Sequence, residues 1–255
     1  MKPTFLKYDK PLLTAMIQCP TSYACIEKIK ASLADGADAI GVQLCRLKKE
    51  YRTKEILTEI FNACEGKPVY VTSYREWESE DLSYDECADL LLLALEAGAT
   101  LCDVMGDMFD CSPQFQLSED EEAIKKQKEL IAEIHRRGGE VLMSSHTFKS
   151  TTLDENLMIA KAHIERGADI IKIVNSADDV TEVPKYIDAV QKILQMTDKK
   201  LLFLVSGEGQ IMRYIGPSLG VCMYLCVQNR SPIDTPEQPL LKELKLVRDN
   251  ILIKN

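Results

Sequence analysis

Eight short apolar runs, each followed by a stretch of helical character, constrain this chain more than any other feature. They are LLTAMIQC (12–19), DAIGVQL (38–44), PVYVTSY (68–74), TLCDVM (100–105), EVLMSS (140–145), DIIKIV (169–174), KLLFLVS (200–206) and GVCMYLCV (220–227). Runs of this length read as strands buried on both faces, as in a parallel sheet covered by helices. Several begin after the same punctuation, DGADAI, EAGATL, RRGGEV and ERGADII, where a glycine closes a helix and a strand follows directly. The segments between carry start signals of their own. Ser118 with Glu121 and Thr152 with Glu155 have capping-box spacing, and EEAIKKQKELIAEIHRR repeats its apolar residues with a helical period. No linker, low-complexity tract or shift in composition divides the chain. Eight unbroken β/α units in 255 residues predict one closed (β/α)8 TIM barrel, a single α/β domain over 1–255, with an open doubly wound sheet as the alternative.

Charge and cysteine usage narrow the class. A net charge of -9 without any Lys/Arg run interleaved with aromatics argues against a nucleic-acid partner. No apolar run is long enough to cross a membrane, and the first residues lack the hydrophobic segment and cleavage site of a signal peptide; both predict a cytoplasmic protein. The nine cysteines contain no C-x-x-C pair and lie mostly in apolar segments, at Cys45, Cys102, Cys222 and Cys226 among others. Buried reduced thiols are expected, and a zinc site is not.

A barrel of this kind gathers its chemistry at the C-terminal ends of its strands. The polar residues placed there are Gln43, Tyr74 and Arg75, Asp103, the Ser144-Ser145-His146 triplet, Lys172, Asn175 and Ser206. Lys172 stands out because it interrupts an apolar strand. Alternation points Ile171 and Ile173 at the helices and turns Ile170, Lys172 and Val174 into the barrel. One reading is an ammonium paired with an inward carboxylate. The other is a nucleophilic amine, which must be neutral to attack a carbonyl. That requires its pKa to fall about three units, on the order of 4 kcal/mol, through desolvation and neighbouring cations. The iminium so formed acidifies the adjacent carbon and permits elimination. Such chemistry needs a proton carrier, and the chain has three histidines. His135 falls in the last turn of a helix, where a cation suits the dipole, and His163 falls on a helix without catalytic neighbours in sequence. His146 ends the fifth strand, next to the strand of Lys172, and is the candidate general acid and base.

At these residues the chain resembles the type I 3-dehydroquinate dehydratase family of Schiff-base barrels. SSHTF resembles the segment around the family's catalytic histidine, except that Thr147 stands where an Asp is usual. GADIIKI resembles the strand of the Schiff-base lysine, and REWES the segment whose acid orients the histidine, here Glu78. GEGQIMR resembles the loop ending in the arginine that holds the substrate carboxylate, here Arg213. SPIDTPEQP resembles the loop whose Ser and Gln close over the substrate, here Ser231 and Gln238. The resemblance implies that Lys172 forms an iminium with a ring ketone while His146 moves the proton, converting 3-dehydroquinate to 3-dehydroshikimate. No cofactor or metal is implied, the partner is a small keto-acid, and a homodimer is compatible with the architecture.

The departures cluster on one side. Gly41 and Gln43 stand where the family carries a Glu-x-Arg pair. Tyr74 takes the place of an arginine, with Arg75 one residue later, and Met105 or Gly106 falls where an acid is frequent, with Asp107 near. A charge-assisted contact to a hydroxyl is worth roughly 1.5–3 kcal/mol. Recognition of the ring hydroxyls therefore passes to Gln43, Arg46, Arg75 or Asp107, or the substrate is a keto-acid with fewer of them. A barrel that binds a carboxylate without turnover is the third reading.

Overall fold

In a computed structural model of the protein, which describes residues 3–75, 82–112 and 114–251, the eight expected strands form one parallel sheet. They are β1 (Leu12–Ile17), β2 (Ala39–Gln43), β3 (Val69–Thr72), β4 (Leu101–Met105), β5 (Glu140–His146), β6 (Ile170–Ala177), β7 (Lys200–Gly207) and β8 (Met223–Cys226). Neighbours in sequence are neighbours in space from β1 to β7, and β8 returns to pair with β1. The seam between β7 and β8 is bridged by the Cys222 N–H, which donates to Leu201 O at 2.8 Å. The open-sheet alternative is therefore excluded. Helices α1 (Ser22–Ala34), α2 (Lys54–Asn62), α3 (Tyr84–Glu96), α4 (Glu121–Arg136), α5 (Leu153–Arg166), α6 (Val183–Met196), α7 (Met212–Ile215) and α8 (Leu241–Asn250) follow strands one to eight in turn.

Local chemistry explains the joints. Gly167 ends α5 at φ 103°, a conformation that costs an L side chain, and its N–H returns to His163 O and Ile164 O. The aspartates of the repeated Gly-Ala-Asp then act across the sheet. Asp38 accepts from Leu13 N at 3.0 Å and Asp169 from Val141 N at 2.9 Å, so each satisfies the N–H of the second residue of a neighbouring strand. Thr152 and Glu155 form the expected capping box. Ser118 does not: α4 is capped by Asp120, whose carboxylate accepts from Ala123 N at 2.8 Å, while Ser118 Oγ donates to Asp110 at 2.6 Å. Asp120 sits one residue before the helix, where a carboxylate meets the free N–H groups and the dipole together. The nine cysteines are free thiols, and all but Cys111 are buried.

Gly41 has a packing role. A Cβ built there would lie 2.2 Å from Met16 Sδ and 3.2 Å from Tyr70 Cδ1, so Met16 occupies the volume a side chain on β2 would need. Gly41→Ala is expected to cost about 1–3 kcal/mol by overpacking, read as a lowered urea midpoint at unchanged slope.

Candidate active site

The strand ends surround a cavity of about 650 Å³ whose wall includes Lys172, His146, Arg213, Tyr74, Gln43 and Gln238. Its floor is a buried polar network. Lys172 Nζ donates to Tyr74 Oη at 2.8 Å, to Asp103 Oδ2 at 3.1 Å and to Tyr70 Oη at 3.3 Å. Asp103 Oδ2 also accepts from Tyr74 Oη at 2.8 Å and from Tyr70 Oη, and Oδ1 accepts from Ser144 Oγ at 2.6 Å. Register brings these groups together: Ser144 lies beside Lys172 across the β5–β6 ladder, and Thr72 beside Asp103 across β3–β4. Burial pushes the Asp103 carboxyl up, but the Lys172 cation and the three hydroxyls outweigh it and hold the group below its ordinary range. Burial and the Asp103 charge push the Tyr70 phenol well above its ordinary value, so it stays a neutral donor.

Lys172 is thus paired. Its isolation cannot serve as the argument for catalysis, because a lysine held only for structure would make the same ion pair. Its position distinguishes it: Lys172 and His146 line the same cavity. His146 is half-buried, edge-on to Tyr74 with centroids 5.8 Å apart and stacked on Phe148 at 6.1 Å. Burial first, then the Lys172 and Arg213 cations, lower its pKa to about 3 against the opposing pull of Asp103. The ring is neutral at physiological pH and can accept a proton. Its Nδ1 lies 2.7 Å from Gln116 Oε1. The expected orienting residue, Glu78, lies outside the described residues.

Arg213 stands on α7 and is buried. Its Nε donates to Val205 O at 3.1 Å and its Nη2 to Ser206 Oγ at 3.0 Å, which fixes the fork at the cavity wall. Burial lowers its pKa to about 10, so it remains a cation. Gln43 and Gln238 are both buried and both line the cavity. In the amide orientation that satisfies its neighbours, Gln18 ties Gln43 to the loop after β8. It donates to Gln43 Oε1 at 3.0 Å and Ile233 O at 3.2 Å, and accepts from Thr235 N at 3.3 Å. The same loop is latched to α1 by Lys28, 2.7 Å from Asp234 Oδ1.

Two expected contributors sit differently. Arg75 lines the cavity, but its guanidinium forks onto Asp107, with Nη1 3.0 Å from Oδ1, and lies 4.9 Å from the Tyr84 ring centroid. Its two Nη atoms are engaged by Asp107, while its buried Nε has no hydrogen-bond partner among the described residues. Ser231 is not part of the cavity wall, and its buried Oγ has no hydrogen-bond partner among the described residues. Sequence reasoning missed Gln116 and Tyr70 and gave Asp103 no role. Asp103 was accessible to it: Leu101, Asp103 and Met105 share a face of β4 by alternation, so the inward acid lies two residues before the position the resemblance suggested. Gln116 carries no sequence signal, since it reaches His146 from a loop 30 residues away.

Comparison with known proteins agrees with this geometry. The chain is 29% identical over 213 residues to the chloroplastic bifunctional 3-dehydroquinate dehydratase/shikimate dehydrogenase of Arabidopsis thaliana, covering 82% of this chain and 32% of that protein. It is 28% identical over 122 residues to the 3-dehydroquinate dehydratase of Listeria welshimeri, covering 47% and 48% of the two chains. This chain therefore matches about a third and about half of the length of these two curated relatives. Among solved structures, it superposes on the type I 3-dehydroquinate dehydratase of Clostridium difficile with a TM-score of 0.79 at 20% identity, over 95% of this chain and 92% of that one. The 3-dehydroquinate dehydratase of Geobacillus kaustophilus gives a TM-score of 0.81 at 15% identity, over 94% and 91%. The model of the type I 3-dehydroquinase family matches residues 14–252. With the barrel closed and the lysine, histidine and arginine of the resemblance around one cavity, the chain belongs to the type I 3-dehydroquinase family.

Proposed function

We propose that this protein is a Schiff-base hydro-lyase that removes water from 3-dehydroquinate to give 3-dehydroshikimate. The observation that carries the reading is the convergence of an amine, a neutral imidazole and a buried guanidinium on one cavity. Lys172 Nζ adds to the ring ketone as the neutral amine, having passed a proton to Asp103 Oδ2 at 3.1 Å; that proton returns to the carbinolamine oxygen, which leaves as water and gives a cationic iminium. His146 then takes a proton from the neighbouring carbon, and the electron pair of that C–H bond forms an enamine. The hydroxyl on the next carbon departs with the proton from His146 as water, and hydrolysis of the conjugated iminium frees the enone and the amine. One water is lost overall. The iminium carries its charge on the nitrogen that faces Asp103, so that carboxylate stabilises it. Arg213 binds the carboxylate through its planar fork. That the Clostridium difficile relative is described with covalently modified comenic acid supports a covalent route.

A second reading follows from the specificity side. Arg75 is engaged by Asp107, Met16 fills the space beside Gly41, and Gln43 is a neutral amide. These groups suit the same chemistry on a cyclic keto-acid with fewer ring hydroxyls. The assay is the growth of enone absorbance on mixing the protein with 3-dehydroquinate. Turnover is expected, and Arg213→Ala is expected to raise KM by about 10- to 150-fold through loss of a charge-assisted contact. Absence of turnover by a folded protein would contradict the first reading and favour the second. A cytoplasmic location and a homodimer belong to the same proposal. No helix among the described residues is long and apolar enough to cross a membrane.

A further inference from the structure

The loop between β4 and α4 holds a side chain that meets His146. Gln116 Oε1 lies 2.7 Å from His146 Nδ1 and accepts the backbone N–H of His146 at 3.2 Å. A backbone N–H can only donate, so the atom facing it is the amide oxygen and not the NH2. An oxygen acceptor at 2.7 Å then requires that Nδ1 carry the ring proton. Neutral imidazole has one such proton, so Nε2 is left with its lone pair.

The protein maintains this arrangement against backbone preference. Phe115 and Gln116 are consecutive non-glycine residues in the left-handed region, at φ 64° and 46°. Such residues persist where surroundings over-determine them, and they cluster at functional sites. Here the surroundings are specific. Ser145 Oγ donates to Gln116 O at 3.1 Å, and His163 Nε2 lies 3.0 Å from the same Oγ. The buried Arg166 donates to Gly106 O at 2.7 Å and to Ser118 O at 2.6 Å, one carbonyl on either side of the loop. Gln127 Nε2 binds Gly106 O at 3.1 Å and Met108 O at 2.8 Å. A Cβ at position 106 would come within 2.6 Å of Gln116 O, so the loop is seated directly on the end of β4.

We propose that Gln116 is the positioning residue of this site, fixing His146 as the Nδ1–H tautomer with an unprotonated Nε2 available to the cavity. The inference rests on the proposed role of His146 as the base. At Nδ1 an amide differs from a carboxylate. A neutral amide holds the ring in place without stabilising the imidazolium, so the proton taken from carbon passes readily to the departing hydroxyl. Among the described residues, the charged and titratable groups facing the ring are Lys172 from β6, Asp103 from β4, Arg213 from α7 and Tyr74 after β3. None of them occupies Nδ1.

Nitrogen-15 NMR of the histidine-labelled protein without substrate tests this independently of any turnover. Wild type is expected to show His146 with a protonated Nδ1 and a bare Nε2 from pH 5 to 8. Gln116→Glu is expected to raise the pKa of that ring by about one to three units, the effect of an adjacent opposite charge. Gln116→Leu is expected to leave both tautomers populated and to lower kcat about tenfold or more at nearly constant KM. The His163 resonances, unchanged in both variants, report that the loop scaffold remains folded. A wild-type His146 protonated at Nε2, or a Gln116→Glu protein whose His146 titrates as before, would overturn the assignment even if 3-dehydroquinate is turned over. If the NMR result holds while no substrate is converted, the tautomer assignment stands and the proposed reaction fails.

Discussion

Lys172→Ala is expected to lower the rate of dehydration by on the order of a millionfold, the scale of loss when a covalent nucleophile is removed. The substitution also has a structural cost. Asp103 is fully buried, and without its cation it becomes an uncompensated carboxylate, which typically destabilises by about 3–5 kcal/mol. The two effects separate in the double variant Lys172→Met with Asp103→Asn. Neutralising both partners is expected to restore the urea midpoint, because replacing a whole buried pair is close to neutral in stability. Activity is expected to remain absent. A lysine present only to satisfy Asp103 would behave otherwise, and the double variant would recover stability and rate together. The ion pair therefore becomes the instrument that tells a structural lysine from a catalytic one.

His146→Ala is expected to reduce kcat by about 10²- to 10⁴-fold, the usual contribution of a positioned acid–base group. The loss falls on the proton transfer from carbon and not on carbonyl addition. Lys172 keeps its three partners and still faces the cavity, so the variant is expected to form the covalent adduct and to process it slowly. Stopped-flow mixing with quenching separates the two steps. Fast adduct formation followed by slow enone appearance supports the assignment, whereas an undiminished steady-state rate would remove His146 from the mechanism.

The barrel was legible because its signal is repeated. Each apolar run, glycine joint and helical period is local, and eight copies in series admit few topologies. The inward direction of Lys172 was legible for the same reason, since strand alternation has a fixed period. The site's pairings were harder to read. Asp103 meets Lys172 across two intervening ladder steps, and only barrel curvature brings β4 and β6 side chains to one point. The Arg75–Asp107 pair was not legible either, because Asp107 reaches the guanidinium from the loop after β4. Gln116 was invisible to periodicity. It lies in an irregular loop with left-handed backbone, and its function depends on a scaffold of Arg166, Gln127 and Ser145 assembled from three different elements. Ser118 shows the converse error. Its spacing matched a cap, but Asp120 lies closer to the helix start and captures the free N–H.

Specificity follows from the same comparison. The residues that would move electrons and protons match the family resemblance one by one, while the wall near β2 and β3 is built from Met16, Gln43 and Tyr74. Tyr74 binds both Lys172 and Asp103, so the position that the resemblance gives to an arginine serves the floor network here.

The central claim is tested most directly by reducing the protein with borohydride in the presence of 3-dehydroquinate and locating the mass increase by peptide mass spectrometry. A reduced, substrate-sized adduct on the peptide containing Lys172, absent from Lys172→Ala, is the predicted result. An unmodified Lys172 peptide in protein that turns the substrate over, or an adduct carried equally by Lys172→Ala, would contradict it.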